Sequence, residues 1–221
     1  MDKRAHMIIF IPIKEVSQRV PKKNFRNFCG APLYKHVIRK FSDHRVYVDT
    51  DSDEIIKECN ADPTLSHVTA FKRQKSLCGH KISVCDLIKS FINKFKINEP
   101  IAQIHVTSPF LSSQIVEDAY RLIGDYDSIV SCNRHQTRFW RKESYGFCPI
   151  NHNPLKMQQT QDLPEIFEEN SCFYIFNSNV VLETGNRIGK SPFFYVIEYP
   201  YNIDIDTEKD WLIATREKNE S

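Results

Sequence analysis

The chain has 221 residues, is 41% hydrophobic and 26% charged, and carries a formal net charge of +2. That length admits one α/β domain with a full core. A charge so near neutral excludes a global attraction to nucleic acid or to an anionic membrane, so any anion site must come from local clustering.

Residues 1–6 read as a poorly ordered extension without a secretory apolar region. They lead into Met7-Ile8-Ile9-Phe10-Ile11-Pro12-Ile13, a β-branched run with the length of a buried strand. Lys14, Arg19, Lys22 and Lys23 then crowd into one short connection, in which Pro21 ends any helix. Residues 32–41 predict a helix with Pro32 at its permitted first turn. A strand, a cationic loop and a helix are the parts that hold a polyphosphate at the edge of a parallel sheet; a solvated basic loop is the plainer alternative.

The alternation continues. Strands are predicted at 45–49, 67–71, 101–106 and 128–131, and helices at 53–60, 81–96 and 112–123. The 81–96 helix carries Ile82, Cys85, Leu87, Ile88, Phe91, Ile92 and Phe95 at helical spacing. This order predicts a doubly wound parallel sheet within a single domain spanning 1–221.

Between 137 and 167 the pattern lapses into mixed aromatic and polar residues with Pro149, Pro154 and Pro164. So long a structureless loop is unusual in a compact domain, and Phe139, Trp140, Tyr145 and Phe147 suit an inserted arm with short strands of its own, docked on a partner subunit. Strands return at 171–177 and 193–199, and a helix at 207–217 closes the chain, capped by Asp206 or Thr207. No apolar stretch is long enough to cross a bilayer. The seven cysteines include no Cys-x-x-Cys pair and the eight histidines show no ligand spacing with them. Reduced core thiols of a cytoplasmic protein explain them better than disulfides or zinc.

Asp204 and Asp206 are the strongest metal candidates. On an extended segment they project from one face, with Ile203 and Ile205 on the other. Such a pair suits a hard cation that keeps several waters, magnesium on a phosphate oxygen above all; Asp206 as a helix cap and Asp204 as a solvated turn residue is the ordinary alternative. Arg73, Ser83, Asp49 and the His105-Val106-Thr107-Ser108-Pro109 segment all fall on the carboxyl edge of the predicted sheet, where open α/β folds bind ligands. Arg138, Arg141 and Lys142 flank Phe139-Trp140 in the arm, and a small carboxylate suits an arginine there at least as well as nucleic acid does.

Several segments together resemble one family. Ile11-Pro12 through Pro21-Lys22-Lys23-Asn24, Val48-Asp49-Thr50-Asp51-Ser52-Asp53-Glu54-Ile55, His105-Val106-Thr107-Ser108-Pro109-Phe110, Asn170-Ser171-Cys172-Phe173-Tyr174-Ile175 and Ile203-Asp204-Ile205-Asp206-Thr207-Glu208 are similar, in order, to motifs of the CMP-sialic acid synthetases, the acylneuraminate cytidylyltransferases. The resemblance implies a mostly parallel, Rossmann-like nucleotidyltransferase fold with a protruding dimerisation arm at 137–167, in a homodimer. It implies that CTP activates a nonulosonic acid to give CMP-sugar and pyrophosphate. Lys23, Lys14 and Asp206 would then be catalytic. Ile11, Pro12, Lys14, Lys23, Asn24, Arg73 and Ser83 would bind nucleotide, and His105, Thr107, Ser108, Arg141 and Thr160 the sugar. Asp204 and Asp206 would hold magnesium. Departures stand beside the matches. Ile13-Lys14-Glu15-Val16-Ser17-Gln18 replaces Ala-Arg-Gly-Gly-Ser-Lys, with Glu15 adding a negative charge beside the phosphate path, and the chain has only six glycines. His105 replaces a sugar-contacting glutamine and Thr160 a sugar-contacting arginine. The acceptor is accordingly read as a sialic-acid-like nonulosonic acid, with legionaminic, pseudaminic or another nonulosonic acid as alternatives to standard sialic acid. A nucleotidyltransferase for Kdo, or a nucleotide-binding dimeric pseudoenzyme, is the alternative.

Overall fold

The computed structural model describes residues 6–79 and 81–220. Residues 1–5 of the expected extension lie outside that range, while His6 contacts the Asp43 carbonyl through Nδ1 at 2.8 Å. The elements are β1 (Ile8–Ile13), β2 (Asn27–Phe28), β3 (Ala31–Pro32), α1 (Leu33–Ile38), β4 (Arg45–Thr50), α2 (Asp53–Ala61), β5 (Val68–Lys72), α3 (Val84–Phe95), β6 (Ile101–Ile104), α4 (Ser113–Tyr120), β7 (Ser128–His135), β8 (Trp140–Glu143), β9 (Gly146–Pro149), β10 (Ile166–Phe176), α5 (Ser178–Thr184), β11 (Pro192–Val196) and α6 (Glu208–Glu220). The central sheet runs β11-β7-β10-β6-β1-β4-β5.

The pleat of β1 shows why the alternation reads so clearly. Ile9, Ile11 and Ile13 pack on one face with Tyr34, Val37 and Ile38 of α1, Ile55 of α2 and Val116 of α4. Ile8 and Phe10 pack on the other with Leu87, Ile88, Phe91 and Ile92 of α3 and Val181 of α5. A strand buried on both faces needs an apolar residue at every position, and β1 supplies one. Helices on both faces make the sheet doubly wound.

One strand departs from a purely parallel sheet. β1 pairs in parallel with β4 and β6, β4 with β5, and β7 with β11. β10 runs antiparallel to both its neighbours, β6 and β7. It can do so because the chain reaches it through the arm instead of a crossover helix. β10 also begins earlier than the expected 171, at Ile166, and shifts register against β7 between Glu169 and Tyr174. Ser171 lies within that irregularity at φ 61.

Element ends differ for local reasons. The long helix starts at Val84 instead of residue 81, because the Ser83 hydroxyl accepts the Cys85 N–H at 3.2 Å and caps it there. The closing helix is capped by Thr207, not Asp206: Thr207 Oγ1 accepts the Asp210 N–H while Asp210 Oδ2 accepts the N–H groups of Thr207 and Asp206. That leaves the Asp206 carboxylate to point elsewhere. A third apolar cluster, of Val20, Phe28, Leu33, Ile205, Trp211 and Ala214, ties the loop after β1 to the segment before α6.

The 137–167 stretch holds the β8–β9 hairpin and a single 3₁₀ turn at Thr160–Asp162. Its base is stitched by Asn151, whose amide donates to the carbonyls of Thr137 and Pro164 and accepts from the Phe139 N–H. Beyond the base, Tyr145, Phe147, Ile150, Leu155 and Met157 are exposed. No helix among the described residues is long and apolar enough to cross a membrane.

Candidate active site

The carboxyl ends of β1, β5 and β6 open into a cleft of about 450 Å³. Backbone geometry brings distant residues to it. Beyond Ile13 the chain leaves the sheet through Lys14 and an irregular loop, then turns tightly at Lys22, whose carbonyl accepts the N–H groups of Phe25 and Arg26. Val20 is buried against Ile205 in the third apolar cluster. The same packing sets Lys23 beside Asp206: Lys23 Nζ donates to the Ile205 carbonyl at 2.6 Å and lies 3.4 Å from Asp206 Oδ1. Two residues separated by 183 positions thus share one ion pair.

The loop is fixed at its base. Asn24, almost fully buried, donates from Nδ2 to the Lys14 carbonyl at 2.8 Å. The Lys14 ammonium reaches across to the Gly79 carbonyl at 3.3 Å. The Glu15 N–H is held by Asp51 Oδ1 at 2.7 Å, and its exposed side chain does not line the cleft. Lys14, Val16, Ser17, Gln18, Arg19, Val20, Lys23 and Asn24 do. The negative charge placed here by the sequence therefore stays off the anion path.

Arg73 reaches the cleft from the end of β5. It is buried, with Nε 2.7 Å from Asp49 Oδ1 and Nη2 donating to the carbonyls of Asp49 and Ile13. The pair straps the carboxyl ends of three adjacent strands. Burial raises the Asp49 carboxyl, and the Arg73 guanidinium opposes that rise.

Asp204 and Asp206 face the cleft together, with Ile205 turned into the third apolar cluster, as the alternation predicts. The segment is extended but not a strand; it is held by the Ile205 N–H donating to the Thr107 carbonyl at 2.8 Å. Burial pushes the Asp204 carboxyl up to about 6, while the Thr107 hydroxyl bonded to it pulls the other way. Its Oδ1 is buried without a hydrogen-bond partner. A buried, unpaired carboxylate oxygen beside a second carboxylate is an oxygen donor set that a hard cation would satisfy. No group of three or more His, Cys, Asp or Glu side chains suited to a metal occurs among the described residues. Two carboxylates suffice for magnesium that draws its other ligands from water and phosphate.

On the β6 side, His105 and Thr107 line the cleft. Burial, then the Arg187 charge, lowers the His105 imidazole to about 4, so it serves there as a neutral hydrogen-bonding ring. Arg187 itself stacks on the Tyr174 ring, 3.4 Å from its centroid, and donates to Gln103 Oε1. Ile82, Val84 and Leu87 supply an apolar wall opposite the lysines.

Of the residues singled out in the sequence, Pro12, Lys14, Lys23, Asn24, Arg73, His105, Thr107, Asp204 and Asp206 line this one cleft. Ile11 lies in the core and Ser108 is fully buried. Ser83 caps α3 while its neighbours Ile82 and Val84 face the cleft. Arg141, on β8, pairs with Glu143, and Thr160 is exposed on its 3₁₀ turn; neither joins the cleft of its own chain. Arg19 and Ser171 belong to the lining but were not among the sequence candidates. Ser171 stands where β10 shifts register, in the left-handed region at φ 61, a conformation its residue type does not announce. Arg19 was visible only as one cation of the loop.

A cytidylyltransferase family model matches residues 8–217. The chain belongs to the cytidylyltransferase family. Among curated relatives, N-acylneuraminate cytidylyltransferase A of Danio rerio is 32% identical over 96% of this chain and 50% of its own length. Pseudaminic acid cytidylyltransferase of Campylobacter jejuni is 22% identical over 94% of both chains. The chain spans about half the length of the N-acylneuraminate cytidylyltransferases it matches. Among solved structures, CMP:2-keto-3-deoxy-manno-octonic acid synthetase complexed with CTP superposes with a TM-score of 0.68 at 15% identity, covering 98% of this chain and 99% of that one. The resemblance carried by the motifs and the nucleotidyltransferase fold are both upheld by these relatives of the cytidylyltransferase family.

Proposed function

We propose that this protein transfers the cytidylyl group of CTP to a nonulosonic acid, releasing pyrophosphate. The observation that carries the proposal is the meeting of Lys23 with Asp206 in a cleft that also gathers Lys14, Arg19 and Arg73. Cations for a triphosphate and carboxylates for its metal occur together, at the sheet edge where open α/β folds bind nucleotides. The acceptor's anomeric hydroxyl oxygen bonds to the α-phosphorus as the bond to the β-phosphate oxygen breaks, and the hydroxyl proton passes to solvent. Such chemistry rests on positioning and charge stabilisation. Lys14 and Lys23 hold the phosphates; Asn24 fixes the Lys14 backbone; Ile82, Val84 and Leu87 exclude water from one wall. Asp204 and Asp206 would hold magnesium, which when bound neutralises charge growing on pyrophosphate. A nonulosonic acceptor is supported by the relation to the pseudaminic acid enzyme, which the chain spans almost end to end.

The exposed aromatic and aliphatic side chains of the 137–167 arm support a homodimer, in which the arm of one protomer carries Arg141 and Thr160 toward the cleft of its partner. Seven free cysteines suit a reducing, cytoplasmic setting.

Pyrophosphate release from CTP and magnesium chloride, measured with N-acetylneuraminic, legionaminic and pseudaminic acids and Kdo, tests the proposal. Turnover is expected with a nonulosonic acid and a fall of at least roughly a hundredfold in Asp206→Asn. Thermal stabilisation by CTP with no release across the panel would instead establish a nucleotide-binding protein without this activity.

A further inference from the structure

Arg19 stands apart from the other cations of the cleft in how it is held. Its guanidinium lies 2.9 Å from Asp206 Oδ1, nearer than the Lys23 ammonium at 3.4 Å. Yet its side chain remains 66% exposed, against 13% for Lys23. Lys23 is additionally bonded to the Ile205 carbonyl, and Arg73 is strapped to Asp49 and two carbonyls. Among the described residues Asp206 is the ion-pair partner of Arg19. The guanidinium emerges from the irregular part of the loop, one residue ahead of the Val20 anchor, and it lines the cleft. Arg19 and Lys23 meet the same oxygen of a carboxylate that sits beside the unpaired Oδ1 of Asp204.

We propose that Arg19 is an exchangeable counter-ion: it neutralises Asp206 while the cleft is free of nucleotide, and moves to the triphosphate when a divalent cation takes the carboxylate. This rests on the cytidylyltransferase reading above. The chemistry favours such an exchange. A guanidinium on Asp206 Oδ1 opposes the approach of a metal, since like charges repel. A triphosphate presents several oxygens to the planar fork of arginine, which it can engage bidentately. An exposed arginine on a short irregular loop loses little on leaving one carboxylate, because solvated ion pairs are weak. A single residue then keeps stray cations off the metal site and afterwards stabilises the departing pyrophosphate.

Two bindings are measured on the folded full-length chain: CTP with magnesium by calorimetry, and Mn2+ alone by the loss of its free-ion paramagnetic resonance signal. Arg19→Gln is expected to weaken CTP binding about tenfold and to strengthen Mn2+ binding about two- to fivefold. Arg19→Lys should stay close to wild type for Mn2+ and fall between the two for CTP. Changes of opposite sign are the signature, since a loop damaged by the substitution would weaken both. Loss of both affinities, or unchanged CTP binding in Arg19→Gln, overturns the proposal. Absence of CTP binding by the wild-type chain overturns the cytidylyltransferase reading itself, and unchanged Mn2+ binding in Arg19→Gln then also removes the guarding role.

Discussion

The cleft and the arm are built on opposite principles. Around the cleft three polar side chains have a buried support: Arg73 on Asp49, Asn24 on the Lys14 carbonyl, Lys23 on the Ile205 carbonyl. The arm keeps its base closed through Asn151 and turns apolar side chains outward, with Leu155 96% and Met157 92% exposed. The difference teaches that one chain contains enough packing to fix the geometry of this cleft by itself. The arm, in contrast, leaves apolar surface exposed that its own chain does not bury.

The largest effect should come from breaking the cleft's support. Arg73→Met leaves Asp49 charged and buried without its partner, and should cost about 3–5 kcal/mol, read by urea unfolding. A loss below about 1 kcal/mol would mean the strap is far less rigid than its geometry.

A paired substitution in the arm, Phe147→Glu with Leu155→Glu, should leave the protomer's fold intact and lower the unfolding midpoint only by the stabilisation that dimer formation lends at the same protein concentration. In sedimentation it should convert the proposed dimer to a monomer, since two charges in an apolar contact forfeit several kcal/mol, of order 3–6. A wild-type chain that sediments as a monomer at tens of micromolar would remove the partner from the contrast altogether.

Asp204→Asn should separate stability from metal binding. Asp204 holds its proton up to about 6 in the folded chain, above the ordinary 3.8. Its folded pKa is raised, so the carboxyl helps stability while protonated and loses that help as pH climbs through 6. The amide should therefore be more stable than wild type at pH 8, by about 1–3 kcal/mol, with the gain fading below pH 5. Stabilisation by magnesium should vanish in it, and in wild type should weaken as pH drops below 6. A variant less stable at pH 8 than at pH 5, relative to wild type, would contradict the burial.

Ser83→Ala is the mildest and the sharpest for the cleft's edge. Loss of the α3 cap should cost about 1 kcal/mol, with CTP affinity unchanged. A drop in CTP affinity of about tenfold, on the scale of a lost charge-assisted hydrogen bond, would instead put the hydroxyl on the nucleotide, as the resemblance implies.

Much of this was legible in the sequence because it lies in periodicity. The strands and helices from Ile8 to Ser131 follow runs and spacings that local physics reads directly. The same holds for the shared face of Asp204 and Asp206, which needs only an extended backbone. The reversal of β10 was not legible, since direction depends on how the arm delivers the chain and not on the strand's composition. The choice between Asp206 and Thr207 as the cap of α6 was not legible either: both are competent caps, and only the reciprocal bonds with Asp210 decide. Arg19 escaped for a related reason. A cation in a basic loop is unremarkable until packing of Val20 on Ile205, far along the chain, sets its carboxylate partner beside it.

That packing has a consequence for the life of the polypeptide. Lys23 leaves the ribosome 183 residues ahead of Asp206, and Ile205 and Trp211, which pack with Val20, are made equally late relative to the loop. Until they arrive, the front loop has neither its apolar anchor nor its counter-charge, and long-range closure of this kind is slow to form. A chain still short of those residues therefore lacks the assembled cleft, which closes only once they have been made.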